Sequence, residues 1–366
     1  MAPGVRLFCS GEILIGPPRK AIQYELSPPP ADAVSALSFA PGSQNSTRLL
    51  AASWDKNVYL YDIKGDDDQG TLIQTFEHRA PVLDVCFGGS DDEAFSAGMD
   101  WQVLRLDLST GEQTVLSKHS APVRRVVYCH DQGILVSASW DSTLHFHSLR
   151  DPSAEPLTIP LPGKPHALAA SPTKLVVAMT SRLVSIYDLS AATQALATGA
   201  PLDAWQQRES SLKFLTRAVS CMPSDAGYAT SSIEGRVAVE WFEDSPESQA
   251  RKYAFKCHRQ AAPEGDGDVV YPVNALVFHP GYGTFATGGG DGHVALWDAE
   301  AKRRMKQYQK FPESIAALAF SSDGKHLAIG VSPGFETGQE DYSGEGRTKI
   351  FVRELGDAEA KPKGAK

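Results

Sequence analysis

The sequence is poor in cysteine, in positive charge and in long apolar runs. Its five cysteines lie far apart and none forms a Cys-x-x-Cys pair, so neither a disulfide framework nor a zinc site is predicted. No stretch approaches the roughly 18 apolar residues of a membrane-spanning helix, and no charged and apolar signal region begins the chain. We therefore expect a soluble intracellular protein with no metal, no cofactor and no membrane contact.

The charge balance argues against a general nucleic-acid-binding surface. The formal net charge is −9 over 366 residues, whereas such surfaces are basic. The richest basic stretch, residues 208–259, holds eight Lys and Arg but also seven Asp and Glu. Any anion-binding site there must be built from a few well-placed charges, and we predict no direct contact with nucleic acid.

A short segment returns in altered form about every 40 to 55 residues. Each copy is a tight acidic or Gly-containing turn followed by a short alternating strand that ends near an Asp. This period and the Trp-Asp ending are typical of WD-repeat propeller blades. The six copies begin at Ser53, Ala97, Ser139, Thr180, Ser232 and Gly290.

The repeats predict an all-β fold, a seven-bladed WD-repeat β-propeller over residues 20–356. The seventh blade comes from a C-terminal remnant, Thr348–Glu354. The alternating segment Ile22–Leu26 is expected to complete that blade and close the ring, which removes an open sheet edge. Residues 1–19 are predicted to be an irregular arm. Residues 357–366, which lack a large apolar anchor, are predicted to be a disordered tail.

One motif of catalytic type occurs, in Gly330-Val331-Ser332-Pro333-Gly334. It matches the Gly-x-Ser-x-Gly elbow, but that elbow needs a strand-to-helix turn in an α/β sheet. Here a propeller strand precedes the motif, so we interpret the match as chance. No acid/base pair, triad or metal-ligand set is evident, and the chain is predicted not to be an enzyme.

Three basic residues in the fifth repeat are candidate binding groups. Arg236 directly follows the Glu234-Gly235 turn, which places it at a blade rim. Lys256 lies on the strand face opposite to that of Phe255, and Arg217 ends a six-residue alternating segment that we interpret as a strand. On the pattern alone, a solvated or locally paired side chain is the simpler interpretation of each.

The same part of the chain resembles a known family. The segments Arg208–Phe214, Ser231–Glu240 and Lys252–Arg259 closely resemble the spindle-checkpoint WD-repeat family of the "budding uninhibited by benzimidazole" group. The resemblance runs from about Tyr24 to Lys363. A related family, the nucleoporin-binding messenger-RNA-export propellers, shares the Glu-Gly-Arg-Val-Ala and Phe-Lys-Cys-His-Arg sequences. The Ser-Ser-Leu-Lys-Phe version and the Ala-Lys-Pro-Lys tail favour the checkpoint family.

The resemblance implies a non-catalytic adaptor with two kinds of partner. Family members hold a segment called GLEBS, from the checkpoint kinase and its kinase-like paralogue, across the top face. They also read phosphorylated Met-Glu-Leu-Thr repeats of a kinetochore scaffold. By motif position, Arg236 and Lys256 match the pair that grips the phosphothreonine, and Arg217 matches the residue that pairs with a GLEBS glutamate. Trp54 and Glu234 are assigned to the partner surface.

The resemblance also implies a location and a role. The protein is expected in the nucleus, and at kinetochores in mitosis, where it would recruit the kinases to unattached kinetochores. It is expected to be a monomer on its own. The alternative is a nuclear-pore adaptor in messenger-RNA export that binds the GLEBS segment of a nucleoporin.

Overall fold

The computed structural model describes residues 22–42, 47–64, 70–149, 155–262, 265, 267–334 and 346–362. Within these residues the chain forms seven four-stranded antiparallel sheets. The first strand of each sheet contacts the first strand of the next, and the last sheet returns to contact the first. The predicted all-β, seven-bladed WD-repeat propeller is therefore confirmed.

The first strand of the chain, β1, spans Gln23–Glu25. Blade 1 contains β2 (Val34–Phe39), β3 (Arg48–Ser53), β4 (Asn57–Asp62) and β5 (Thr71–Glu77). Blade 2 contains β6 (Val82–Phe87), β7 (Glu93–Gly98), β8 (Gln102–Asp107) and β9 (Gln113–Lys118). Blade 3 contains β10 (Val123–Cys129), β11 (Ile134–Ser139), β12 (Thr143–Ser148) and β13 (Leu157–Pro160).

Blade 4 contains β14 (Pro165–Ala170), β15 (Lys174–Met179), β16 (Leu183–Asp188) and β17 (Gln206–Glu209). Blade 5 contains β18 (Thr216–Cys221), β19 (Gly227–Ser232), β20 (Arg236–Trp241) and β21 (Tyr253–Lys256). A two-stranded hairpin follows, with β22 (Arg259–Ala261) and β23 (Asp268–Val270). Blade 6 contains β24 (Val273–Phe278), β25 (Thr284–Gly289), β26 (Val294–Asp298) and β27 (Arg303–Gln307). Blade 7 contains β28 (Ser314–Phe320), β29 (His326–Ser332) and β30 (Lys349–Glu354).

The two ends of the chain meet in blade 7, as the sequence predicted. Strand β1 pairs with β30, with Tyr24 opposite Val352. The Leu26 amide then donates to the carbonyl of Ile350 at 2.8 Å, and the Leu26 side chain is fully buried. Strand β1 thus becomes the outer strand of a sheet whose other three strands come from the opposite end of the chain.

The hydrophobic core lies between neighbouring blades. One apolar cluster joins blades 1 and 2, another joins blades 3 and 4, and a third joins blades 5 and 6. The second strands are buried along almost their whole length, because each has a neighbouring sheet on both faces. This packing makes the position of each blade depend on its two neighbours.

Antiparallel pairing divides the connections between two faces of the propeller. The turns from second to third strands and the links from one blade to the next lie together on what we call the upper face. The remaining turns lie on the lower face. Two helices, α1 (Leu189–Thr198) and α2 (Pro246–Ala250), connect third to fourth strands and so belong to the lower face. The hairpin β22–β23 links blades 5 and 6 on the upper face.

The prediction of a disordered tail is wrong for residues 357–362. The Ala360 side chain is buried, and its carbonyl accepts a hydrogen bond from Thr284 Oγ1 at 2.7 Å. The Glu359 carboxylate binds Arg353 Nε and Lys306 Nζ, each at 2.9 Å. Burial alone would raise the pKa of Glu359, but these bonds lower it to about 2. Ion pairs and a small alanine supply the anchor, rather than a large apolar side chain.

The predicted arm and the end of the predicted tail fall outside the part of the chain that the structure describes. The proposed arm, residues 1–19, and residues 363–366 of the tail lie outside the described residues. The limits assigned to the propeller, residues 20–356, remain a proposal. No helix in the described ranges is long and apolar enough to cross a membrane.

Ring closure predicts that two neighbouring apolar residues, Leu26 and Ile22, contribute very differently to the free energy of unfolding. Leu26→Ala should lower the free energy of unfolding by about 2–5 kcal/mol, because a fully buried leucine is lost. The matched control is Ile22→Ala, since Ile22 is 56% exposed and should change stability by less than about 0.5 kcal/mol. Urea unfolding measures both. Equal effects would show that β1 does not contribute to closure.

Candidate functional site

Two of the predicted site residues lie side by side on blade 5. Arg236 is the first residue of β20 and Lys256 is the last residue of β21, and the two are register partners. Directly opposed residues of antiparallel strands project from the same sheet face with their Cβ atoms about 5 Å apart. The structure therefore brings this guanidinium and this ammonium group together at the upper rim.

The turn before β20 sets the direction of Arg236. Gly235 has a φ of 62°, in the left-handed region that favours glycine. A Cβ at this position would lie 2.8 Å from the carbonyl oxygen of Cys257, so a larger residue would push β20 and β21 apart. The amide of Cys257 donates to the carbonyl of Gly235 at 2.9 Å, which joins the turn to the end of β21.

The two cations are only weakly engaged. Arg236 Nε lies 3.5 Å from Glu234 Oε2, and its side chain is 35% exposed. The Lys256 side chain is exposed and has no hydrogen-bond or ion-pair partner within the described part of the chain. Both groups can therefore donate to an added anion without breaking a strong internal contact.

Unused hydrogen-bonding groups lie next to this pair. Glu234 Oε1 and Arg259 Nε are buried and have no hydrogen-bond partner. Arg259 Nη2 donates to the carbonyl of Glu234 at 2.8 Å, so the two residues are neighbours. A buried polar atom without a partner costs free energy, and an ordered water or a bound ligand can supply the missing hydrogen bond. Glu234 thus lies beside the Arg236–Lys256 pair, and its assignment to the partner surface stays a prediction.

A cavity of about 240 Å³ extends from Lys256 between blades 5 and 6. Its wall contains a buried pair in which His258 Nδ1 and Asp291 Oδ1 are 2.8 Å apart, and His258 Nε2 contacts Thr287 Oγ1 at 2.9 Å. His258 therefore has a structural role at the junction between blades 5 and 6. The cavity is also lined by Arg259, His293, Trp297, Arg304 and Gln307.

Arg217 belongs to a different part of the upper face. The prediction that it ends a strand is wrong, because residues 210–215 are irregular and Arg217 is the second residue of β18. Its Nη2 donates to Asn274 Oδ1 of blade 6 at 2.9 Å, and its side chain is exposed. Strand β18 is the innermost strand of blade 5, so Arg217 lies near the central channel and Arg236 lies farther out.

Trp54 lies in the upper-face turn of blade 1 and is 44% exposed. Trp101 occupies the corresponding turn of blade 2 and is also exposed, but sequence reasoning did not select it. The equivalence of the two turns in the repeat was the signal that could have identified it. Exposed apolar groups are typical of a binding surface where they form a contiguous patch. Others on the upper face are Phe214, Leu215, Ile233, Val269 and Val270.

The serine of the elbow-like motif has a structural contact. Ser332 ends β29, and its Oγ accepts a hydrogen bond from the Val34 amide of blade 1 at 2.9 Å. No group of three or more potential metal ligands occurs among the residues that the structure describes.

Comparison with known proteins agrees with this architecture. The family model "WD domain, G-beta repeat" matches residues 23–62, 111–148 and 266–298. The chain is 44% identical to mitotic checkpoint protein BUB3.1 of Arabidopsis thaliana over 343 residues, 93% of this chain and 94% of the relative. It is 36% identical to mitotic checkpoint protein bub3 of Dictyostelium discoideum over 334 residues, 91% and 94% of the two chains.

The chain belongs to the Bub3 family of mitotic checkpoint WD-repeat proteins. The resemblance predicted from blade 5 is therefore confirmed. The related messenger-RNA-export propellers are also similar, as expected. The export factor GLE2 of Chaetomium thermophilum is 34% identical over 343 residues, 93% of this chain and 92% of the relative.

The buried pair in the cavity wall of this Bub3-family chain gives a stability prediction. Burial raises the pKa of Asp291, but its hydrogen bonds to His258 and to the His293 amide, together with the electrostatic effect of these two histidines, outweigh burial, so the pKa lies below its ordinary value. Asp291→Asn should lower the free energy of unfolding at pH 7 by about 1.5–3 kcal/mol. Because a lowered pKa stabilises only the ionised form, this difference should shrink as the pH falls below about 4.

Chemical denaturation at several pH values measures the effect of Asp291→Asn. Asp268→Asn is the matched control, because the Asp268 side chain is 48% exposed and lies 3.8 Å from Arg259 Nη1. It should change stability by less than about 0.5 kcal/mol. A pH-independent loss in Asp291→Asn would contradict the assigned charge.

Proposed function

We propose that this Bub3-family chain is a non-catalytic mitotic adaptor that binds phosphorylated Met-Glu-Leu-Thr repeats and GLEBS segments on its upper face. It would thereby recruit a checkpoint kinase and its kinase-like paralogue to the kinetochore scaffold. This role implies the nucleus as its location, and kinetochores in mitosis. The proposal extends the family membership to particular partners and residues.

The observation that carries the proposal is the cross-strand pair of Arg236 and Lys256 at the upper rim. A phosphothreonine has a charge of about −1.5 to −2 and three acceptor oxygens, so it is best bound by several charged donors. The guanidinium offers two directed N–H groups and the ammonium offers a third donor from the neighbouring strand. A local pair is sufficient for this task even though the whole chain is acidic.

Arg217 and the exposed apolar groups support the second half of the proposal. A GLEBS segment crossing the upper face would cover Trp54 and the neighbouring apolar side chains, and one of its glutamates would pair with Arg217. The contact between Arg217 and Asn274 holds the guanidinium beside the channel, ready for that glutamate. Because Arg217 and the Arg236–Lys256 pair lie on different strands, the two partners would use separate charged groups.

The first test of the proposal is binding of a phosphorylated Met-Glu-Leu-Thr peptide. Arg236→Ala or Lys256→Ala should weaken binding by about 10- to 150-fold, since a charged hydrogen bond contributes about 1.5–3 kcal/mol. The unaltered protein should bind the unphosphorylated peptide no more tightly than these variants bind the phosphorylated peptide. Isothermal titration calorimetry measures each affinity.

Arg251→Ala is the matched control for the phosphopeptide experiment. Arg251 also belongs to blade 5 but lies on the lower face, where it pairs with Glu300 at 2.9 Å. This variant should bind the phosphopeptide like the unaltered protein. Equal affinity of the unaltered protein for phosphorylated and plain peptides would refute phosphate recognition.

The second test concerns Arg217 and the GLEBS segment. Arg217→Glu should abolish co-purification with a GLEBS-containing fragment of the checkpoint kinase, because breaking a desolvated charge pair costs about 3–5 kcal/mol. The same variant should keep its phosphopeptide affinity. Lys325→Glu, a charge reversal in an exposed lower-face turn, is the control and should co-purify normally. Normal co-purification of Arg217→Glu would show that Arg217 does not bind this segment.

A further inference from the structure

The interface between blades 2 and 3 has the smallest apolar core of the propeller. Within the described residues, each pair of neighbouring blades shares one cluster of buried apolar side chains. The cluster between blades 2 and 3 is the smallest of these, and it consists of Phe95, Ala97, Val103, Val123, Val126 and Leu135. Buried histidines occupy the space beside it, since His147 is the register partner of Leu135.

The junction between blades 5 and 6 shows the hydrogen bonds that the junction between blades 2 and 3 lacks. In the former, the buried pair of His258 and Asp291 is completed by Thr287. The Thr287 hydroxyl also accepts a hydrogen bond from Trp297 Nε1 at 2.9 Å. An indole N–H is a donor only and does not titrate, so this arrangement keeps its hydrogen bonds over a wide range of pH.

Blade 3 has a histidine where blade 6 has the tryptophan. His119 Nδ1 lies 3.1 Å from Asp141 Oδ2, and His119 Nε2 lies 2.9 Å from Ser137 Oγ, as in blade 6. His147 and Trp297 each follow the aspartate of the upper-face turn by six residues. His147 Nε2 is 3.5 Å from Ser137 Oγ, which is long for a hydrogen bond. A titratable ring with a weak contact thus replaces the well-bonded indole.

Three imidazole rings lie against one another in this interface. His145 and His147 alternate with Phe146 on β12, so both project from one face of the strand. The His145 ring stacks on the His119 ring with centroids 3.6 Å apart, and the centroids of His145 and His147 are 6.1 Å apart. From blade 2, Ser117 Oγ lies 3.4 Å from both His145 Nδ1 and His147 Nε2. We call His119, His145 and His147 the histidine cluster.

Few charged groups face the histidine cluster. Within the described part of the chain, Asp141 is the one carboxylate whose charge acts on it, through His119 and His145. Strands β11 and β13, which flank β12, contain no charged residue. On β9, Lys118 Nζ lies 5.9 Å from the centroid of the Trp101 ring in the upper-face turn. A second positive charge in the cluster would therefore have no carboxylate of its own.

Burial keeps the histidine cluster neutral at pH 7. It is the main cause that lowers the pKa of His119, although Asp141 opposes it. Burial and the adjacent His119 lower the pKa of His145 to about 4, and burial, His145 and His119 lower the pKa of His147 to about 3. In an unfolded chain a histidine has a pKa of about 6.5. The stability that the neutral rings contribute is therefore complete above that pH and is lost as the pH falls toward the folded pKa values.

We propose that the junction between blades 2 and 3 is an acid-sensitive joint of the propeller, which opens when the histidine cluster binds protons. A protonated ring would be stacked against a second imidazole in a buried interface that has one carboxylate to balance it. The small apolar core of this interface opposes the opening less than the larger cores of the other interfaces would. The propeller would thus respond to pH at one defined place, separate from Arg236 and Lys256.

Urea unfolding at a series of pH values tests the acid-sensitive joint. In the unaltered protein the equilibrium constant for unfolding should rise steeply between about pH 6.5 and about pH 5. His145→Leu and His147→Trp should each make this rise about tenfold smaller, because one proton fewer is bound on unfolding. His147→Trp also restores the indole donor found in blade 6. His145→Gln and His147→Gln, which keep a hydrogen-bonding group without a charge, give the same comparison if the first pair fails to fold.

Ser139→Ala is the matched control, because Ser139 belongs to the same junction but has no histidine among its hydrogen-bond partners. Its Oγ lies 3.1 Å from the Ala121 carbonyl oxygen and 3.0 Å from that of Pro122. This variant should lose the same stability at every pH, since no titrating group is removed.

Hydrogen–deuterium exchange at about pH 5.5 locates the opening, because it reports local protection along the chain. Strands β9 and β12 should lose protection before the strands of the other blades, and both histidine variants should retain it. An unchanged pH dependence in both variants, or a loss of protection spread evenly over all seven blades, would overturn the inference.

Discussion

Pairing between β1 and β30 is the interaction on which the rest of the structure depends. The two strands come from opposite ends of the chain, and their pairing gives blade 7 its fourth strand. Each first strand is held in place by both neighbouring blades, so an open ring would let all seven strands shift. Closure therefore determines the geometry of the channel mouth as well as the stability of the fold.

The closed ring presents two kinds of charged site on one face. Arg217 lies near the central channel, on the innermost strand of blade 5. Arg236 and Lys256 lie farther out, on the third and fourth strands of blade 5. A few well-placed basic side chains form both sites, although the chain has a net charge of −9. The acidic remainder disfavours nonspecific binding of polyanions, so recognition depends on the shape and spacing of the partner.

Sequence reasoning succeeded where the information was periodic and local. The repeat predicted the blades, and period-two alternation predicted the exposed face of Lys256. It failed for Arg217 and for the tail, because both depend on contacts between distant parts of the chain. The bulge beside Arg217 appears only when β18 is paired with β19. Glu359 is held by Lys306, which lies far from it in sequence.

The central claim is that the phosphopeptide and the GLEBS segment bind to separate charged groups on the upper face. Simultaneous binding of the two tests this claim most directly. A labelled phosphorylated Met-Glu-Leu-Thr peptide would be titrated with the protein alone and with the protein saturated by the GLEBS segment, and its fluorescence anisotropy followed. Since the two partners use separate charged groups, the account predicts that the phosphopeptide binds the saturated protein with equal or higher affinity. Competitive displacement of the phosphopeptide by the GLEBS segment would contradict the account, because it would show that both partners occupy a single site.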